Sequence, residues 1–141
     1  MICNRHNQEF RIALRQARLK ATPIRLGMLE AFAHQPKPVS IRDLTARLPQ
    51  SADVVTLYRN AESLCKLGLL NRVRLWDKKE YFEFAHKAHH HHLVCTSCGK
   101  VSDVGDCKVQ IIPNKVLKTA GFAKIKNHQL EFFGLCKQCN N

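Results

Sequence analysis

At 141 residues, with 23 basic and 11 acidic side chains and a formal net charge of +12, the chain has room for one ordinary domain or two small ones and favours polyanionic partners. No apolar run approaches the roughly 18 residues of a membrane span. The opening Met-Ile-Cys-Asn-Arg-His has no signal-peptide core, so a cytoplasmic protein is expected. In such a reducing compartment the seven cysteines serve metals more readily than disulfides. Every arginine lies before residue 87, while the remainder is rich in Lys, His and Cys. Arginine suits bidentate phosphate and guanine recognition, so two modules are expected: a nucleic-acid reader at 1–85 and a metal-binding module at 86–141.

Residues 5–19 place Phe10, Ala13, Leu14 and Ala17 at helical spacing, with Arg11, Arg15 and Arg18 on another face. Thr22-Pro23 starts a second helix, since Thr caps and Pro at the first helical position loses no needed donor. This helix runs to about Ala33 with Ile24, Met28, Leu29 and Phe32 inward. A third begins at Ser40, where Ser40 and Asp43 have the spacing of a short-armed capping box. The fourth spans 53–67, turns Leu57, Ala61, Leu64 and Cys65 inward, and stops at Gly68. Residues 71–76 and 81–85 alternate around a polar turn and predict a hairpin. Three helices and a basic hairpin make a winged helix-turn-helix, whose recognition helix would carry Thr56, Tyr58 and Arg59 near its exposed N-terminal end.

The stretch from His89 to Cys98 concentrates four imidazoles and two thiols, the donors that bind divalent transition metals. As a strand it would put His90 and His92 on one face and His89 and His91 on the other, so one run can serve two sites. Cys95 and Cys98 form one C-x-x-C pair, and Cys136 and Cys139 a second. Together they make a four-cysteine zinc set, which two pairs favour over a redox dithiol or an iron-only centre. An expression tag is a poor reading of a His run that flows into an apolar strand. Residues 99–135 between the pairs must fold into a small unit that brings its ends together. Strands are expected at 101–104, 122–125 and 130–133, and a helix at 111–120. Cys3, Cys65 and Cys107 read as ordinary thiols.

Four co-ordered motifs carry a family resemblance: Leu-Lys-Ala-Thr-Pro-Ile-Arg at 19–25, Val-Thr-Leu-Tyr-Arg at 55–59, His-His-His-His-Leu-Val-Cys-Thr-Ser-Cys-Gly-Lys-Val at 89–101, and Cys-Lys-Gln-Cys at 136–139. Together they resemble the ferric uptake regulator family over nearly the whole chain. The resemblance implies a bacterial, homodimeric, metal-dependent repressor of metal-homeostasis genes. Its fold would be α+β: an N-terminal winged helix followed by a small C-terminal α/β dimerisation domain with the four-cysteine zinc. It further implies a sensory metal site at Glu83, His90, His92 and Asp103, and an additional site at His89, His91 and His128. DNA contacts would come from Lys20, Tyr58 and Arg59, with Thr56 and Arg25 counted beside them. The operator would be an inverted repeat in double-stranded DNA.

Two positions depart from the family pattern. Pro38 stands where a sensory His is often supplied, leaving His34 and His86 as candidates to replace it. Gln110 stands where the additional site usually has Glu, which weakens that site. Iron(II) is the first choice of regulatory metal, with zinc or manganese as alternatives, and a peroxide-sensing variant of the same family is a further reading. From other classes, a metallohydrolase would need an open coordination position and a substrate pocket, neither suggested by the sequence. A zinc-stabilised RNA-binding module would need stacking aromatics, and the chain has one Trp and two Tyr. No enzyme activity is expected.

Overall fold

In a computed structural model of the chain, residues 4–48, 52–75, 77, 79–85, 87, 89–105, 114–125, 128 and 130–140 are described. Helix α1 (Asn4–Gln16) buries Phe10 and Leu14, one turn apart, and leaves Arg11 and Arg15 exposed. Its last turn closes with Leu19 N–H on the Leu14 carbonyl (2.8 Å) and Arg18 N–H on the Arg15 carbonyl (2.9 Å), the paired bonds of a Schellman motif. The motif requires a left-handed residue, and Arg18 adopts it at φ 57°. Helix α2 (Pro23–Ala33) is capped by Thr22, which accepts from Arg25 N–H, with Pro23 in the first turn. It buries Leu26, Met28, Leu29 and Phe32; Ile24, expected inward, is half-buried, and Leu26 takes the deeper place.

Helix α3 (Ile41–Leu44) continues into one 3-10 turn (Thr45–Arg47). Ser40 accepts from Asp43 N–H at 3.2 Å and donates to the Asp43 carboxylate at 2.7 Å, so the short-armed box closes on one residue. Helix α4 (Val54–Lys66) buries Leu57, Ala61 and Leu64, and ends in the same Schellman pairing with Gly68 at φ 70°. Strands β1 (Leu70–Arg74) and β2 (Glu80–Phe84) form an antiparallel hairpin, and Val39 adds a single bridge to Phe82. One continuous core runs through these elements, with Phe32 and Phe82 edge to face at 6.1 Å between centroids. Each such fully buried side chain contributes about 1.5–3 kcal/mol.

The chain divides into two compact units, Met1–Lys87 and Ala88–Asn141. The second is built on a three-stranded sheet with β3 (His91–Cys95) at its centre. Strand β4 (Val101–Val104) runs antiparallel to it, pairing His92 with Asp103, and β5 (Glu131–Gly134) runs parallel, pairing His92 with Glu131 and Cys95 with Gly134. Helix α5 (Asn114–Thr119) lies between β4 and β5 in sequence. Residues 122–125, expected as a strand, are not one. Gly121 at φ 77° closes α5 with Phe122 N–H on the Leu117 carbonyl and its own N–H on the Lys118 carbonyl, so these residues follow directly on a helix stop. The expected helix at 111–120 falls partly outside the described residues. Among the described residues, only Val94, Cys95, His91 and His92 of this unit are buried, while Leu93, Phe132, Phe133 and Leu135 are exposed. No helix among the described residues is long and apolar enough to cross a membrane.

Candidate metal centres and nucleic-acid interface

Parallel pairing of β3 and β5 determines where the thiols meet. Cys95 ends β3 opposite Gly134, and the turn that follows returns Gly99 N–H to the Cys95 carbonyl at 2.9 Å, swinging Cys98 back beside it. Two residues beyond Gly134, Cys136 directs its N–H at Cys95 Sγ (3.3 Å), and a tight turn brings up Cys139. One sulfur from each of the four lies within 4.8 Å of the others, and Cys98 and Cys136 are 3.8 Å apart. A tetrahedron with zinc–sulfur bonds of about 2.3 Å has edges of about 3.8 Å, so the cluster fits a structural zinc ion.

The thiols are tuned unequally. Backbone N–H groups of Cys98 and Cys136 aimed at Cys95 bring it down to about 6, favouring the thiolate that binds metal. Ser97 pulls Cys139 downward, but its contacts with the Cys136 and Cys98 thiols push it up to about 11. Four sulfurs this close cannot all carry charge unless a cation joins them.

Alternation along β3 and the residues before it separates the histidines. His89 and His91 have ring centroids 4.8 Å apart and meet His128 at 4.8 and 5.3 Å, with one ligand atom from each within 4.8 Å of the others. Burial, then the neighbouring His89 and His128 rings, holds His91 below the usual histidine range, in the neutral form that ligates metal. His90 and His92 stack edge-on at 5.0 Å, and His92 Nε2 is 3.9 Å from Asp103 Oδ1. Glu83 stands on β2 opposite Asn71, in the first unit. Glu131, which the sequence reading did not single out, is paired with His92 across β5 and shares its face. Only the parallel register reveals it. Gln110 and His86 lie outside the described residues; Pro38 is buried ahead of the Ser40 cap, and His34 is exposed at the end of α2.

Within the first unit, Asp53 caps α4 by accepting from Thr56 N–H at 2.9 Å and from the Thr56 hydroxyl at 2.8 Å, which lowers the Asp53 pKa. The Thr56 hydroxyl is therefore engaged in the cap. Tyr58 is half-buried with its ring 6.4 Å from Phe82, and Arg59 is exposed. Arg25 links the turn before α2 to α4, donating to the Lys20 carbonyl at 2.8 Å and to Asn60 Oδ1 at 3.1 Å; Lys20 itself is exposed. Val54 and Val55, 43% and 60% exposed in the first turn of α4, were missed as candidates. An apolar side chain at such a position can read a thymine methyl, and its exposure on an otherwise well-packed helix is the signal.

The sequence matches the ferric uptake regulator family over residues 16–133. A ferric uptake regulation protein of Klebsiella pneumoniae is 31% identical over 130 residues, covering 89% of this chain and 83% of the relative. Among solved structures, the Helicobacter pylori ferric uptake regulator, with three functional metal-binding sites, aligns at TM-score 0.74 and 23% identity, covering 95% of this chain and 91% of that one. The Vibrio cholerae ferric uptake regulator aligns at TM-score 0.69 and 29% identity, covering 89% and 98%. The same fold includes a zinc uptake regulator complexed with zinc and DNA, at 23% identity, and a Campylobacter jejuni peroxide stress regulator, at 26%. With a winged helix, a four-thiol cluster and a match that takes in most of its length, the chain belongs to the ferric uptake regulator family, whose members are metal-binding regulators of transcription.

Proposed function

We propose that the chain works as a homodimeric repressor that binds an inverted-repeat operator when a divalent metal occupies the His90, His92 and Asp103 donors, with iron(II) as the physiological metal. The observation that carries this reading is the alternation of His89 to His92, which sets two separate imidazole pairs beside Asp103 and His128 in a chain that also has a winged helix. Nitrogen and oxygen donors suit iron(II), manganese and zinc, and no cysteine other than the zinc-cluster thiols adjoins the His-x-His pair. Zinc is the second reading, favoured by the likeness to a zinc uptake regulator.

The four-thiolate zinc would hold the two ends of the second unit, and Leu93, Phe132, Phe133 and Leu135 would be covered by a second copy, since exposed apolar clusters of this kind mark association surfaces. A two-fold dimer matches a palindromic operator, one recognition helix per half-site. Glu83 is the carboxylate that the sequence assigns to the regulatory metal. A bound cation would supply a charge centre for these donors; the chain's own part is to present imidazoles and carboxylates that favour one DNA-binding arrangement when the ion is held. In a His90→Ala,His92→Ala variant, operator retardation should lose its response to iron(II), manganese and zinc, while zinc content and dimer mass stay unchanged. A double variant as metal-responsive as the parent would overturn the assignment.

A further inference from the structure

The first unit contains a group of metal-type donors that the reading above does not bring together, although His34 is there a candidate to replace the sensory His. His6 lies near the start of α1, and Glu30 and His34 lie one turn apart at the end of α2. Packing of α1 on α2 brings them together: one ligand atom from each lies within 4.8 Å of the other two. The His6 and His34 rings meet edge-on at 5.5 Å, and His34 Nδ1 is 3.7 Å from Glu30 Oε1.

Ring packing accounts for part of this. His6 stacks on Phe10 at 5.9 Å and lines a mainly apolar groove with Phe10, Ala13 and Phe84. It does not account for His6 Nδ1, which is shielded from solvent and has no hydrogen-bond partner among the described residues. A buried polar atom left without a partner is costly, and native structures that tolerate one commonly complete it with an ion or water. His34 Nδ1 lies 2.8 Å from the Glu30 main-chain oxygen, a contact that holds the ring at the end of α2 beside the Glu30 carboxylate.

We infer that His6, Glu30 and His34 form a divalent metal site that clips α1 to the end of α2. Two imidazoles and one carboxylate are the protein ligands of many three-ligand zinc sites, with a water completing the tetrahedron, and the same set accepts nickel or cobalt. The separations exceed those of a closed site, so the side chains must rotate inward by about an ångström to reach bonds of about 2.0–2.2 Å. Occupancy would hold the exposed Arg11 and Arg15 face of α1 rigidly against the helices that carry the DNA-reading surface. Because all three residues belong to the first unit, the site is independent of the thiolate cluster and of His89 to His92.

The test uses the full chain with its thiolate zinc in place. Titrated with zinc chloride, the parent should take up one equivalent more than either a His6→Gln,His34→Gln variant or a Glu30→Gln variant, and the two variants should keep the parent's thiolate-bound zinc. In the nitrogen-15-labelled parent, zinc should move the ring signals of both His6 and His34. Affinity of the extra equivalent should fall at least tenfold in Glu30→Gln, a near-isosteric change that keeps the test valid if the double histidine variant does not fold. Equal zinc uptake by parent and Glu30→Gln, or His6 and His34 ring signals that stay still under excess zinc, would overturn the site.

Discussion

The two units of this chain are held together by different physics. In the first, fifteen buried side chains among the described residues, from four helices, a hairpin and the turns between them, form one continuous core. In the second, the described buried residues are Val94, Cys95, His91 and His92, and large apolar side chains such as Phe122, Phe133 and Leu135 face outward. One unit is stable because it removes enough oil from water; the other has the composition of a module whose folding free energy comes from metal ligation and association. Under the proposed function that difference would match a division of labour, since a DNA-reading head must be rigid on its own, whereas a sensor gains by depending on its ion.

The contrast is broken most severely at the thiols. Cys136→Ser should release zinc and abolish the folded second unit, while the winged helix keeps its own thermal transition; amide spectra of the two units, followed on heating, check this. Its mirror image is Phe32→Ala, which should cost the first unit about 3–5 kcal/mol and leave the zinc content of the second unchanged. A zinc assay alongside a melting curve separates the two. Arg59→Ala sharpens the functional half of the comparison. Loss of an exposed recognition-helix arginine should weaken operator binding by about 1–3 kcal/mol, with zinc content and melting unaltered. The smallest effect is at the end of α1: Arg18 pays the strain of a left-handed residue, so Arg18→Gly should stabilise the first unit by about 1 kcal/mol, raising its midpoint in urea.

What could be read from the sequence follows the same line. The winged helix was legible because its signals are local: Thr22 with Pro23, Ser40 with Asp43, Asp53, and Gly68 each act within one turn of the helix they start or stop. The sorting of His89 to His92 was also legible, because alternation along a strand is a local property. Residues 122–125, expected as a strand, are not one, since a short apolar run does not distinguish a strand from the sequel to a helix stop at Gly121. The parallel β3–β5 register, which sets Glu131 opposite His92 and Gly134 opposite Cys95, joins distant segments and leaves no periodic trace. For the same reason His6 gives no hint of Glu30 and His34 until α1 is packed on α2.

The central claim is that a divalent ion at the histidine donors governs DNA binding by a protein whose second unit is already locked by zinc. Retardation of an operator duplex by the zinc-replete full chain, measured across a titration of iron(II) and then with a chelator too weak to strip the thiolate site, tests it most directly. The account predicts tight binding that rises with iron(II) and reverses with the chelator while thiolate zinc stays bound. Equal affinity with and without the regulatory ion would contradict it.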